Sequence, residues 1–597
     1  MKLKISYLIL FTLIVNIFSA NATIRYVSKT GTSTPPYTSW QTAADSIQKC
    51  INICVDGDTV YVANGVYNEN LVINTAISLI GSSMDSTVID GTGLNDMTII
   101  INRNTLIENF NIYGKVNGVG YGIYSVSNLP TVSISNCFIS QTGRGIAVVG
   151  LNANNIIMNN LRSGIINSAN PNSNNYIANC IMILSSENSY GINLSGPNYA
   201  NYHINNNIII YTGSIFNNPG YGISIGAPRK VYINNNLISG FTNNIFTDDP
   251  YDSVIIKNNV LLNQYSNSPD PASINSSNDN LFVNNVILSK NKKAINGDLI
   301  VISDYNLFWQ NQINLQGVTM GDSDRVADPM FVKDTIPTAN IEYDFHLQAF
   351  SPAINKGDPN ILDLDGTRSD IGLYGGPFGE TYTYQDLAPL APRNLYAVVD
   401  SNNITVRWKR NTEADTSYYK VYRDTTINFT IDSTKLVSSS PDTFFVQLNP
   451  HINTRFVYKV TCVDNQGNES QPSQELVVTI TSVSTNDYPM TISDYVLYQN
   501  YPNPFNPSTK IGYQLKQRGY VKLMVYDIKG ELVSVLVNKE QTAGYYEVDF
   551  NVNGQSAIGG SNVKGNLASG IYLYRIEVIG EGSIPVYTEM KKMLLIK

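Results

Sequence analysis

The residues with the strongest claim to chemistry lie in FTDDPYD, where Asp248, Asp249 and Asp252 crowd one turn, one repeat after Arg229 and Lys230. Carboxylates at that density can hold a divalent cation, and an arginine beside the cation can serve as a base. Asp248, Asp249 and Arg229 are therefore the catalytic candidates. The plainer reading is a solvated turn set by Asp249-Pro250, since both residue types are common in turns. A second knot, DLDGTRSD, offers Asp363, Asp365 and Asp370 as ligands for Ca²⁺. It has only part of a calcium-loop pattern and lacks the later ligands, so a turn network is the plainer account. Zinc is not indicated: no CxxC occurs, and His203, His346 and His451 are scattered.

The elements that must position these residues show themselves as a repeat. IENFNI, ISNCFI, MNNLRS, IANCIMI, INNNIII, INNNLIS, IKNNVLL, FVNNVIL and SDYNLFW align on one slot, held by Asn109, Cys137, Asn160, Cys180, Asn207, Asn236, Asn259, Asn285 and Asn306, at separations of 20 to 29 residues. Apolar residues three before and one after the slot indicate strands on both sides of a tight turn. A second mark precedes each turn: YGIYSV, RGIAVV, SGIINS, YGINLS, YGISIG, NNIFTD, ASINSS and KAINGD. Each repeat thus holds three strands, the layout of a right-handed parallel β-helix. Nine coils at the interstrand spacing predict a rod section roughly 40 Å long.

The recurrent amide has a structural explanation. A tight turn in every coil needs a residue that tolerates left-handed backbone, and asparagine does so better than other non-glycine residues. Stacked coils then place amide over amide, predicting a hydrogen-bonded ladder of Asn109, Asn160, Asn207, Asn236, Asn259, Asn285 and Asn306. A ligand site would not recur once per coil. Cys137 and Cys180 share the slot two coils apart, about 10 Å, too far for a disulfide, and are expected as free thiols. Along the Gly-Ile strands the outward residues are Tyr124, Ala147, Ile166, Asn193, Ser224, Phe246, Asn275 and Asn296, none ionisable. Tyr124, Asn193 and Phe246 suit stacking on sugar and hydrogen bonding to it, and are the substrate-binding candidates; the same face can also be merely solvated.

The chain has 597 residues, too many for one ordinary core, so several domains are expected. Its start, MKLKISYLILFTLIVNIFSANA, combines two lysines, an apolar run and Ala20-Asn21-Ala22, which predicts a signal peptide over residues 1–22 and export. No later apolar run reaches the roughly 20 residues of a membrane-spanning helix. A net charge of -8 argues against nucleic acid as a partner. Five cysteines are too few to staple the fold. Cys50 and Cys54 read as small buried residues near a short helix, ahead of the alternative of a bridge.

Three resemblances organise the whole. SWQTAADSIQKCINICVDGDTVYVANGVYNENLVI resembles the opening of the pectate-lyase-like superfamily, with an amphipathic helix capping the first coil. ADPMFVKD, FHLQAFSPAINKGDP and LDLDGTRSDIGLYGG resemble the closing segment of bacterial secreted β-helix proteins. With the coils, this likeness covers most of residues 24–380, within a β-helix domain expected over 23–385. It implies action on, or contact with, polysaccharide in a groove over a parallel sheet, although the paired-Asp, Gly-His-Gly and Arg-x-Lys signatures of polygalacturonases are absent. After the proline-rich QDLAPLAPRNL, residues 386–482 resemble a fibronectin type III module, with Trp408 on an early strand and Phe456 where that family's tyrosine corner stands. Residues 483–597, through YQNYPNPFNPSTKIGYQL, VKLMVYDIKGELVSVLVN, GYYEVDF, ASGIYLYRIEV and KKMLLIK, resemble the C-terminal sorting domain of type IX secretion cargo.

The expectation is an all-β chain, a right-handed parallel β-helix followed by two small β-sandwiches. It is expected to be exported to the cell surface or beyond, with the type IX machinery as one partner and extracellular polysaccharide as the other. The alternative is a non-catalytic adhesin or envelope rod.

Overall fold

The computed structural model describes residues 22–115, 120–125, 131–168, 173–195, 200–213, 219–226, 230–247, 253–263, 272–277, 280–290, 293–298, 301–335, 342–399, 403–451, 454–479, 495–500, 503–552, 567–580 and 585–596. They fall into two compact units. The first comprises residues 1–389 with 411–417 and 463–469; the second comprises 390–410, 418–462 and 470–597.

The first unit is a right-handed parallel β-helix. A representative coil runs through Asn201–Asn205, a tight turn, Ile208–Tyr211, a loop and Tyr221–Ile225. The next coil repeats it directly above, with Asn201 opposite Lys230, Ile208 opposite Leu237 and Tyr221 opposite Asn243, all in parallel register. The Gly-Ile strands form a parallel sheet of eleven, from Leu71–Ile73 to Ile313–Gln316. Along it Ile123, Ile146, Ile165, Ile192, Ile223, Ile245, Ile274 and Ile295 stand in one register file. All eight are fully buried. Burial of a side chain of this size is worth about 1.5–3 kcal/mol, so a repeated isoleucine fixes both register and stability.

The first coil is covered as its sequence requires. A helix, Ile47–Ile51, buries Ile47, Cys50 and Ile51. The carboxylate of Glu69 accepts from the backbone N–H groups of Ile47 and Gln48 and from the Ser46 hydroxyl, satisfying first-turn donors that have no partner within the helix. Below it Arg25 Nε donates to Asp58 Oδ2 at 2.8 Å, and Asp58 also accepts from the N–H groups of Thr23 and Val55. These bonds hold the Asp58 carboxyl below its usual range against the opposing effect of burial.

The amide runs divide their work among neighbouring residues. In INNNL the middle residue, Asn235, is the one with left-handed backbone, φ 54°, as are Asn206, Asn258 and Asn284 in their own coils. The following residue makes the ladder. Nδ2 of Asn207 donates to Oδ1 of Asn236, Asn236 to Asn259, Asn259 to Asn285 and Asn285 to Asn306, all at 2.9–3.0 Å and all fully buried. Asp324 ends the file by accepting from Asn306. The residue before the turn makes an outer pair, Asn234 Nδ2 to Asn205 Oδ1 at 2.9 Å.

Two residues expected in the ladder stand elsewhere. Asn109 has φ 63° and is the left-handed residue of its coil, so Phe110 takes the inward position. Asn160 lies beyond the turn of its coil, which is at Asn155, with φ 52°; Ile156 fills the file opposite Cys137. Asn109, flanked by Glu108 and Phe110, stands one position before the inward residue of its coil; around Asn160 a stretch rich in amides leaves the left-handed and inward positions ambiguous by sequence alone, and the coil turns earlier than the alignment assumes. From Phe110 through Cys137, Ile156 and Cys180 the file is apolar, and the amide ladder begins only at Asn207.

The left-handed asparagines carry a further duty. Asn235 Nδ2 donates to the carbonyls of Leu373 and Gly375, Asn258 Nδ2 to those of Asp370 and Gly372, and Asn284 Oδ1 accepts from the N–H of Asp358. The closing segment is thus sewn along the turn line of three coils, over a second apolar cluster that includes Leu237, Val260, Val286, Phe331 and Ile371.

Cys50, Cys54, Cys137, Cys180 and Cys462 are all buried free thiols. In the second unit, antiparallel sheets of three and four strands enclose Val406, Trp408, Tyr419, Tyr458 and Val460, with Phe456 buried beside them. A further pair of three- and four-stranded sheets, from Val496–Leu497 to Pro585–Leu595, encloses Leu523, Tyr574 and Ile576.

Candidate functional site

The outward file of the eleven-stranded sheet stands in register over nine coils: Tyr124, Ala147, Ile166, Asn193, Ser224, Phe246, Asn275, Asn296 and Gln316. Tyr124, Asn193 and Phe246 are partly exposed there. The aromatics gather in two places. The Tyr121 and Tyr124 rings lie 5.0 Å apart; farther along, Tyr190 and Tyr221 lie 5.6 Å apart and Tyr221 and Phe246 4.7 Å apart. Phe246 is flanked by Ser224 and Asn275, so a ring surface and hydrogen-bonding groups adjoin at the strand spacing. Asn296 Nδ2 donates to Asn275 Oδ1 at 3.2 Å.

The catalytic candidates Arg229, Asp248 and Asp249 lie outside the described residues, so their geometry is not assigned. They follow described strands: Phe246 and Thr247 end the strand Asn243–Thr247 immediately before Asp248.

Asp363, Asp365 and Asp370 do not converge as a cation site. Asp365 Oδ1 accepts from the N–H and hydroxyl of Thr367 in an exposed turn. Asp363 spends its two oxygens on the N–H groups of Gly376 and Asp370. Asp370 spends its own on the Asn355 N–H, 2.8 Å, and the Tyr384 hydroxyl, 2.9 Å. Burial pushes the Asp370 carboxyl up to about 6. The three belong to the turn network that fastens the closing segment.

Sequence reading missed a second surface, on the strands that precede the tight turn. Leu106, Ser133, Asn152, Tyr176, His203, Tyr232 and Ile255 form its file. The rings of Tyr176, His203 and Tyr232 stack at 4.8 Å with planes within 10° of parallel. Burial lowers the pKa of His203 and favours the neutral ring in that stack. Beyond Tyr176 the stack stops, because the next residue is Asn152. One face of Tyr176 therefore closes a shallow groove floored by Ser133, Ser135, Asn152, Asn154 and Ala178, and among the described residues Oδ1 of Asn152 has no hydrogen-bond partner. The signal was available as aromatic residues at one strand position in successive repeats, but the amide alignment drew attention to the turn instead.

His346 also joins groups that the sequence separates. Its Nδ1 meets Asp344 and its Nε2 meets Glu380, both at 2.6 Å, and its ring stacks on Tyr374 at 3.8 Å. Both ring nitrogens are engaged in these contacts.

No family model matches the chain, and no curated protein sequence does. Among solved structures, the pectate lyase Pel9A is 16% identical and covers 59% of this chain and 96% of its own, with a TM-score of 0.36. The FN1-FN3 domains of chicken CNTN1 are 10% identical over 36% of this chain and 70% of theirs, TM-score 0.15. Chitinase ChiA74 from Bacillus thuringiensis is 13% identical over 36% of this chain and 30% of its own, TM-score 0.15.

Proposed function

We propose that this is an exported β-helix protein that engages extracellular polysaccharide along the outer face of its eleven-stranded sheet. The observation that carries the reading is the cluster of Tyr190, Tyr221 and Phe246 beside the register file of Asn193, Ser224, Asn275 and Asn296. Sugars present an apolar ring face and a hydroxyl edge, and an aromatic surface next to amides and hydroxyls meets both. Repetition at the interstrand spacing suits an extended polymer better than a small molecule. In this reading residues 1–22 direct export, residues 386–482 form a fibronectin type III-like spacer, and residues 483–597 are handled by the type IX secretion machinery, leaving the protein at the cell surface or outside it. The signal for the last step is the block pattern of the C-terminal sequence.

The second reading is a passive adhesin or envelope rod. It is favoured by the pairing of surface amides among themselves, as in Asn102 with Asn74, Asn201 with Asn174, and Asn179 with Asn154. Amides spent in this way stiffen the surface and leave less for a ligand.

Incubation of the full chain with a panel of uronic-acid and neutral polysaccharides separates the readings. Retention on a glycan, weakened in Phe246→Ala and Tyr221→Ala, supports engagement; ultraviolet absorbance from unsaturated ends adds eliminative cleavage at Arg229, Asp248 and Asp249. No retention and no cleavage across the panel leaves the passive rod.

A further inference from the structure

The strands that precede the tight turn carry a surface of their own, on a different sheet from the Gly-Ile strands. On its outward side Tyr176, Asn152, Ser133, Leu106 and Ser78 follow one another in register down successive coils, a run of four strand spacings, roughly 19 Å. The groove beside Tyr176 adjoins a second hollow, lined by Ser78, Leu106 and Thr131, and the two share Ser133. Together they make one trough. Hydroxyls, amides and aliphatic groups line it, and among the described residues no charged side chain does.

One end of the trough is shaped for a ring. Tyr232, His203 and Tyr176 stack at 4.8 Å, which is the strand spacing, so a fourth ring in the same series falls over Asn152. The far end of the stack is taken by Lys230, whose Nζ stands 5.2 Å from the Tyr232 ring centroid. Tyr176 is 46% exposed, and its face toward Asn152 opens on the trough.

Asn152 supplies a second observation. Its neighbours on this side of the rod pair between coils: Asn179 Nδ2 donates to Asn154 Oδ1 at 2.7 Å, and Asn201 Nδ2 to Asn174 Oδ1 at 3.0 Å. Oδ1 of Asn152 is covered and, among the described residues, has no such partner. A polar atom left in that state costs stability. The terminal torsion of asparagine is soft, so the amide can turn toward a hydroxyl in the trough.

We propose that this trough is a second glycan site and that it takes an uncharged polysaccharide. One pyranose ring seats its apolar face on Tyr176 above Asn152 and brings a hydroxyl to the amide, and the trough toward Ser78 holds the sugar residues linked to it. A uronate is disfavoured, because no cation lines the trough to offset desolvation of its carboxylate. The site does not depend on the Gly-Ile face binding glycan.

The test uses the full chain carrying Phe246→Ala, which removes a ring from the other face, so that binding reads the trough. Cellohexaose, xylohexaose and mannohexaose are the neutral probes and hexagalacturonate the acidic one, each titrated by calorimetry. Expected is binding of at least one neutral probe and none of hexagalacturonate. Tyr176→Ala added to this background weakens binding about tenfold or more, while Tyr176→Phe, which keeps the ring, retains it. Asn152→Tyr extends the stack into the seat. It should abolish binding with a melting temperature at or above the parent's, which separates a filled site from a damaged fold. Neutral-glycan binding by the native sequence that vanishes in Phe246→Ala leaves the Gly-Ile face standing and overturns the trough. Binding untouched by Tyr176→Ala and Asn152→Tyr overturns it too, as does a preference for hexagalacturonate or the absence of all binding. Self-association that Asn152→Tyr abolishes, without glycan binding, gives the surface to a second copy of the chain and equally overturns the proposal.

Discussion

Nδ2 of Asn207 donates to Oδ1 of Asn236 across 2.9 Å, and the same oxygen receives the backbone N–H of Asn207. Asn236 in turn donates to Asn259 and to the carbonyls of Ile204 and Asn234. The amide therefore ties a side chain and a backbone of one coil to those of the next. Asn236→Ala leaves the Asn207 N–H and the Ile204 carbonyl buried without these partners, and should cost on the order of 2–4 kcal/mol. Asn205→Ala, which removes one half-exposed outer bond, should cost about 0.5–1 kcal/mol. Denaturant unfolding of the two variants checks the order, and glycan retention should be unchanged in both. Equal costs would mean that the inward file is not special.

The Asn236 result bears on how much of this molecule is written in its sequence. The Gly-Ile strands were legible because isoleucine has one tolerable place in a narrow parallel coil, and all eight stand in register. The inward amides from Asn207 to Asn306 were legible for the same reason. Asn109 and Asn160 were misplaced because asparagine serves two adjacent positions, one chosen for left-handed backbone and one for its hydrogen bonds, and composition does not tell them apart. The aromatic file that ends at Tyr176 was open to reading, as rings at one strand position in successive repeats, but the amide alignment drew attention to the turn. The meeting of His346 with Glu380 was not, because it joins residues far apart in the chain and no local period marks it.

The left-handed position can be tested apart from the ladder. Asn258, at φ 55° and buried, donates to the Ser369 hydroxyl and to the carbonyls of Asp370 and Gly372. Asn258→Gly keeps the turn conformation but removes the tether. It should cost about 1–2 kcal/mol, appearing as faster hydrogen exchange across 357–376 with the coil strands unaltered. Faster exchange in the strands instead would show that the turn, not the tether, was lost.

The cysteines offer a direct count. Burial pushes the thiols of Cys137 and Cys180 up to about 12, and both are fully covered. Native protein should take up no alkylating reagent at these two sites at mildly alkaline pH, while unfolded protein should take up five per chain, one for each free thiol. Three per chain after unfolding would indicate that Cys50 and Cys54 are bridged.

The closing segment should lose stability as the solution becomes less acidic. Asp370 is 2% exposed, and burial raises its carboxyl from 3.8 to about 6. A folded-state pKa above the unfolded one means that the folded protein binds the proton more tightly. The associated stability is complete below about pH 4 and disappears as pH rises through 6. The full difference is on the order of 3 kcal/mol. Asp363 is shifted upward by burial too, and adds in the same direction. Asp370→Asn keeps the shape and an oxygen for the Asn355 N–H but carries no charge, so its melting temperature should vary less between pH 4 and 6 and exceed the parent's at pH 7. A pH profile identical to the parent's would show that Asp370 stays ionised in its turn network, with the bonds from Asn355 and Tyr384 offsetting the cost of burial.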